Sequence, residues 1–170
     1  VSVDPTMILF HSIAYGDEMA YRENPALRKL PEVVVENWKT FFHFNIGWTE
    51  KNFRHAKATW PKVLKFVKQL FEEGIMLTVG TDANNPFIVP GESFHNELEI
   101  LVNAGIEPVE VHKMETLNGA KLIGREKEIG TIEIGKQAHL VLLDGNPTED
   151  ISTTRDIIWV MKNGRMLFQR

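Results

Sequence analysis

Gly80-Thr81-Asp82-Ala83 follows the apolar run Ile75-Met76-Leu77-Thr78-Val79 and leads into Asn84-Asn85-Pro86. A lone carboxylate is thus expected where a buried strand opens into a loop of turn formers. Parallel α/β folds carry their catalytic groups at such strand ends. An aspartate there can accept and return a proton, or bind a cation through oxygen. It can equally be an ordinary turn aspartate that caps the Asn84-Asn85-Pro86 turn. The residue types leave both uses open, because no partner set stands beside Asp82. The six histidines, His11, His43, His55, His95, His112 and His139, are scattered, and no two are separated by one residue.

The elements around this corner are legible in outline. Residues 1–10 mix β-branched and apolar side chains and include Pro5, which suits a strand entered through a turn. Residues 11–60 form a long excursion with a helix expected over 31–42; such a segment serves either as a rim over a site or as a surface insertion. Pro61 suits a helix start, Val63, Phe66, Val67, Leu70 and Phe71 follow at helical spacing, and Gly74 marks the stop. A strand over 75–79 and a loop over 81–91 come next. Ser93 can cap a second helix with Phe94, Leu98, Leu101 and Val102 on its buried stripe and Gly105 at its end. Pro108 opens a third helix to about Leu117, and 120–123 adds a short turn. Helix, strand and helix in this order predict a piece of an α/β barrel or doubly wound sheet.

The pattern changes near Arg125. Ile129, Ile132 and Ile134 alternate with Gly130 and Gly135, Leu140-Val141-Leu142-Leu143 reads as a strand, and Asn163-Gly164 separates two apolar runs. Asn-Gly between apolar strands is a strong hairpin signal, since both turn residues need positive φ. Residues 125–170 are therefore expected to be a small all-β unit.

Composition narrows the function. A chain of 170 residues with 43% apolar residues can bury a sizeable core in one medium domain. With net charge −4 and dispersed Lys and Arg, it offers no basic patch for nucleic acid or an anionic membrane. The absence of Cys excludes disulfides and thiolate metal sites within this sequence. No apolar run approaches the roughly 20 residues that span a bilayer. A cytoplasmic location is expected, with secretion left open because the chain opens at Val1 inside an expected strand.

Several runs together resemble the last barrel strand, its helix and the tail of the amidohydrolase superfamily. They are Gly80-Thr81-Asp82-Ala83, Pro90-Gly91-Glu92-Ser93-Phe94-His95-Asn96-Glu97-Leu98, Thr116-Leu117-Asn118-Gly119-Ala120, and Ile129-Gly130-Thr131-Ile132 through Leu140-Val141-Leu142-Leu143-Asp144-Gly145-Asn146-Pro147. Within it the chain is most similar to the imidazolonepropionase-like and prolidase-like branch, to which Val3-Asp4-Pro5-Thr6-Met7 also points. The order and spacing of the runs carry the resemblance, which extends over most of 75–170 and the first ten residues.

The resemblance implies a metal-dependent hydrolase of α/β class. Residues 1–124 would be the C-terminal part of a TIM (β/α)8 barrel, about its last two strands, and 125–170 the C-terminal strands of a small composite β-sandwich. It implies C–N bond hydrolysis in a cyclic amide or dipeptide-like substrate, with Asp82 as metal ligand and proton shuttle for a metal-activated water. A divalent metal, zinc, is implied in the complete protein, with the remaining N-terminal half of the barrel as partner; a homo-oligomer stays open. The family's other ligands have no counterpart that aligns here, so this chain alone is expected to bind no metal and to be inactive. Two alternatives remain: a non-catalytic barrel fragment that binds or scaffolds, and a metal-free barrel enzyme using Asp82 as a plain acid.

Two histidines are candidate substrate-binding residues. His95 is expected to face the Asp82 loop, or else to pack against its own helix, and His11 to line the mouth of the site just past the first strand. His43 and His55 read as rim or surface residues, His112 as solvated, and His139 as structural. Trp48, Trp60 and Phe41-Phe42 could roof an apolar substrate group, although core packing is the commoner use.

Overall fold

The computed structural model describes residues 1–40 and 47–170; Phe41, Phe42 and His43 lie outside the described residues. Two short strands, β1 (Ser2–Val3) and β2 (Met76–Leu77), pair in parallel with Ser2 opposite Met76 and Val3 opposite Leu77. The Thr78 N–H donates to the Val3 carbonyl at 3.0 Å and carries the pairing one residue further. The strand expected over 75–79 is thus present with a short ladder.

The strand expected over 1–10 is corrected. After Val3 the chain turns through Pro5 and Thr6, whose φ is 42°, and enters helix α1 (Met7–Tyr15). Met7, Ile8, Ser12 and Ala14 are buried on one helical face. A short apolar run does not separate strand from helix by periodicity, and here packing decides.

The excursion holds helix α2 (Met19–Arg22), a 3₁₀ turn (Pro25–Lys29) and helix α3 (Glu32–Thr40). Asn24 caps the turn by accepting the Ala26 N–H at 2.9 Å. Helix α4 (Glu50–Glu72) then corrects the reading of Pro61, which lies inside the helix rather than at its start. The true N-terminus is at Thr49, whose N–H donates to Asn52 Oδ1 at 2.9 Å. An interior proline costs about 3 kcal/mol of helix stability. Burial of Trp60 and Val67 on either side of Pro61 keeps the helix in place. At the other end Gly74 takes φ 76°, and the Ile75 N–H reaches back to the Leu70 carbonyl at 3.0 Å. This left-handed glycine stop sends the chain straight into β2.

Helix α5 (Glu92–Asn103) begins after Gly91, which holds the N-cap at φ 83°, so Ser93 lies in the first turn rather than capping it. Helix α6 (Pro108–Lys113) runs through a π-turn (Met114–Asn118) into helix α7 (Gly119–Leu122). Within that turn the Asn118 side chain donates to the Leu77 carbonyl at 2.8 Å, which ties the helix to β2. Leu77, Ile88, Leu98, Leu101, Val111 and Met114 are almost wholly buried and form the main core around the strand pair.

Strands β3 (Leu140–Leu143), β4 (Ile157–Lys162) and β5 (Arg165–Gln169) form an antiparallel sheet in that order. Asn163 and Gly164 take φ 51° and 73° between Lys162 and Arg165, which pair across the turn. The expectation that all of 125–170 is β is corrected. Residues 125–139 contain no strand, and a 3₁₀ turn (Ile151–Arg155) packs on α5. Gly130, at φ 94°, lies so close to α7 that a Cβ would come within 2.7 Å of the Ala120 Cβ. That contact ties the stretch to a helix instead of a sheet, and Ile132 and Ile134 stay exposed.

Candidate active site

Both parallel strands end on the same side, so Asp4 after β1 and residues 78–82 after β2 share one corner. Gly80 makes the approach possible: a Cβ there would come within 2.8 Å of the Asp4 carboxyl carbon. Two residues on, Asp82 takes φ 52°, followed by Asn84 at φ 84° and Phe87 at φ 65°. Three non-glycine residues in the left-handed region within six positions store backbone strain, which clusters at functional sites.

The loop is held through its backbone. The Asp82 carbonyl accepts the Asn85 side-chain amide at 2.8 Å, and the Ile88 N–H donates to the Asn85 carbonyl at 3.0 Å. The cap therefore runs opposite to the turn-aspartate alternative: Asn85 fixes Asp82. Among the described residues the Asp82 carboxylate has no hydrogen-bond partner, and the residue is exposed. A fixed backbone with a free carboxylate suits proton transfer or ligation better than capping.

The excursion packs onto this loop. Phe87, only 8% exposed, meets Tyr21 at a ring-centroid distance of 6.5 Å and Trp38 at 6.3 Å. With Ala26, Leu27, Val35 and Val89 these rings form a second core, so residues of the excursion form a wall against the Asp82 loop. Tyr21 also reaches His11, whose Nδ1 lies 2.5 Å from its hydroxyl. His11 stacks on Tyr15 at 4.2 Å and meets the Trp60 edge at 4.9 Å. Burial lowers the His11 pKa, against the opposing pull of Glu18, and so favours the neutral ring within this aromatic cluster. Trp60 is a core residue, and Trp48 packs on Phe53.

The expected orientation of His95 is corrected. Its Nδ1 lies 2.9 Å from the Thr154 hydroxyl, and the ring lines a cavity of about 700 Å³ with His112, Glu115 and tail residues, not with Asp82. Helical geometry explains this: position 97 faces α1, and position 95 lies about 200° around the helix. His112 is corrected from solvated to half-buried. It pairs through Nδ1 with Glu115, which raises its pKa, while its buried Nε2 approaches the Pro147 carbonyl without hydrogen-bond geometry. His139 Nδ1 accepts the Asn163 N–H at 3.1 Å and so braces the hairpin turn. His55 lies exposed on α4, and its carbonyl accepts the Thr59 hydroxyl at 2.9 Å.

Sequence reasoning assigned no role to Glu97. It is fully buried on α5 and accepts the Met7 N–H at 2.9 Å and the Ile8 N–H at 2.5 Å. These are the orphan donors of α1, whose own N-cap, Thr6, makes no side-chain bond. The available signal was a carboxylate on the apolar stripe between Phe94 and Leu101. Burial pushes the Glu97 pKa up to about 7, against the two backbone N–H groups and with some help from Asp4.

Because this value lies above the unfolded one of 4.5, the native state holds the proton more tightly. The resulting stability is fully present below about pH 4.5 and is lost as pH rises through about 7. Between pH 5 and 8, wild type should therefore lose about 2 to 3 kcal/mol relative to Glu97→Gln. Urea unfolding of both proteins at the two pH values measures the difference; a constant gap contradicts this titration.

Residues 56–167 match the family model described as the amidohydrolase family, and the chain belongs to that family. It is 32% identical over 148 residues to a 5-methylthioadenosine/S-adenosylhomocysteine deaminase of Moorella thermoacetica, covering 71% of this chain and 32% of the relative. It is 32% identical over 110 residues to an imidazolonepropionase of Shouchella clausii, covering 60% of this chain and 24% of the relative. Among solved structures, a putative prolidase from Bifidobacterium longum superposes with TM-score 0.63 at 31% identity, covering 73% of this chain and 30% of that one. A bottromycin amidohydrolase shares the fold at TM-score 0.72 and 24% identity, covering 94% of this chain and 35% of that one. The chain spans about a quarter to a third of the length of these curated relatives. The likenesses imply a TIM-barrel-type fold of mixed α/β content, in a family that is generally metal-dependent.

Proposed function

We propose that this chain is the C-terminal part of a metal-dependent amidohydrolase. In this reading residues 1–124 supply about the last two strands of its barrel and 125–170 the closing strands of its small β-sandwich. The whole protein would hydrolyse a C–N bond in a cyclic amide or dipeptide-like substrate. The observation that carries this is the Asp82 corner: an exposed carboxylate, unpaired among the described residues, at the C-terminal end of a parallel strand, on a backbone held by Asn85 and walled by Phe87.

A metal must be tested against the residues present. Among the described residues no three His, Cys, Asp or Glu side chains gather closely enough to hold one. Asp82 supplies one carboxylate, whereas a zinc site takes three protein ligands or four. These residues alone do not fit a complete site, so the further donors, and the choice of zinc, lie beyond them. Asp82 itself can accept a proton from an attacking water and return it to the leaving amine. It would be both metal ligand and proton shuttle.

The test is elemental analysis of the intact protein together with assays on cyclic amides and dipeptides. About one or two divalent metal ions per protein, with activity lost on chelation and regained on metal return, is the expected result. Activity that survives complete metal removal would replace this reading with Asp82 as a plain acid. Neither metal nor activity would favour a binding or structural module.

A further inference from the structure

Helix α1 starts directly after the corner that faces Asp82, and its first N–H groups are not capped by its own residues. We infer that Glu97 is a positioning residue for Asp82, gripping the α1 N-terminus from α5 and so fixing the Asp4–Gly80 contact beside the reactive loop. The inference rests on the reading of Asp82 as the reactive acid.

The connection is physically continuous. Glu97 takes the Met7 and Ile8 N–H groups, one on each carboxylate oxygen. Those residues follow Asp4, Pro5 and Thr6, the last with φ 42°. A turn of this kind holds its strained conformation only when its surroundings over-determine it. Asp4 in turn lies against the Gly80 Cα, where no side chain could stand, two residues from Asp82. Loss of the Glu97 grip frees the start of α1, the Asp4 turn and then the Gly80 backbone.

Other elements packed on α5 do not compete for this carboxylate. His11 of α1 engages Tyr21, Lys68 of α4 pairs with Glu72, and His112 of α6 pairs with Glu115. Lys113 of α6 takes Glu110, and Arg155 of the 3₁₀ turn takes Glu92 and Glu99. Asp4 is the titratable group that acts on Glu97. A protonated Glu97 keeps one free acceptor oxygen for two donors, so the grip weakens as pH falls through the range in which it titrates.

Glu97→Gln in the intact protein tests the inference by amide hydrogen exchange, corrected for intrinsic rates, on peptides covering 1–12, 78–90 and 157–169. At pH 8 the variant should lose about tenfold in protection over 78–90, the effect of one charge-assisted hydrogen bond, with 157–169 unchanged. In wild type, protection of 78–90 should be greater at pH 8 than at pH 5.5, and in the variant it should not change. A role in stability alone gives the opposite trend, because ionised Glu97 lowers global stability. Protection over 78–90 that is unaffected by the variant, or flat with pH in wild type, overturns the positioning role. Should the variant fail to fold, the wild-type pH series alone decides. No substrate or activity enters this readout, so an intact protein that hydrolyses nothing would defeat the reading of Asp82 separately.

Discussion

Asp82→Asn in the intact protein is expected to lower kcat by at least about a thousandfold, within the range by which positioned acid–base groups contribute, while leaving the fold unchanged. The substitution is nearly isosteric. On the proposed reading it removes the group that would accept and return a proton and weakens the residue as a cation ligand. Stability should move by less than about 0.5 kcal/mol, since the carboxylate is exposed and has no partner among the described residues. What Asn85 holds is the Asp82 carbonyl, and the substitution keeps that carbonyl. Asparagine also tolerates the left-handed φ of 52° at least as well as aspartate. The turn-aspartate alternative predicts near-normal kcat instead. Steady-state kinetics with thermal unfolding of both proteins separates the two, and a variant retaining a tenth of wild-type kcat would exclude Asp82 as the shuttle.

The parts of this site that were legible in the sequence are those set by local chemistry. Gly74 had to end a helix and Asn163-Gly164 had to turn a hairpin, because few other residues accept their backbone angles. The Asp82 corner was legible for a similar reason, as a carboxylate after an apolar run with Asn and Pro behind it. What was not legible depends on partners distant in sequence. Residues 7–10 read as strand because nothing local says that Glu97, about ninety positions away, will cap the helix they begin. Pro61 read as a helix start because its local penalty is plain, whereas the burial of Trp60 and Val67 that offsets it is tertiary. His95 was placed by its neighbours in the chain, yet Thr154, 59 positions away, decides where it points. The excursion was readable only as rim or insertion until Phe87 showed what it covers.

Phe87 joins strain and packing at one residue, and its replacements should separate the two. Phe87→Ala removes a ring that is only 8% exposed from between Tyr21 and Trp38, and is expected to cost about 3 kcal/mol. Glycine ordinarily lowers stability by a further 0.5 to 1 kcal/mol, roughly, relative to alanine in ordered backbone. At φ 65° the order should change, because a left-handed backbone costs an L-residue roughly 1 to 2 kcal/mol that glycine does not incur. Phe87→Gly should therefore be as stable as Phe87→Ala or more so, by up to about 1 kcal/mol. Urea unfolding of the two variants measures this difference directly. An alanine variant more stable by about 1 kcal/mol would show that the loop carries no strain at Phe87. Either substitution also leaves Tyr21 and Trp38 without the ring that fixes the excursion to the Asp82 loop. Proteolytic nicking within 17–40 should then speed up together with loss of protection over 78–90, because one side chain supports both. If nicking accelerates and the loop stays protected, the excursion is an insertion resting on the site, not its wall.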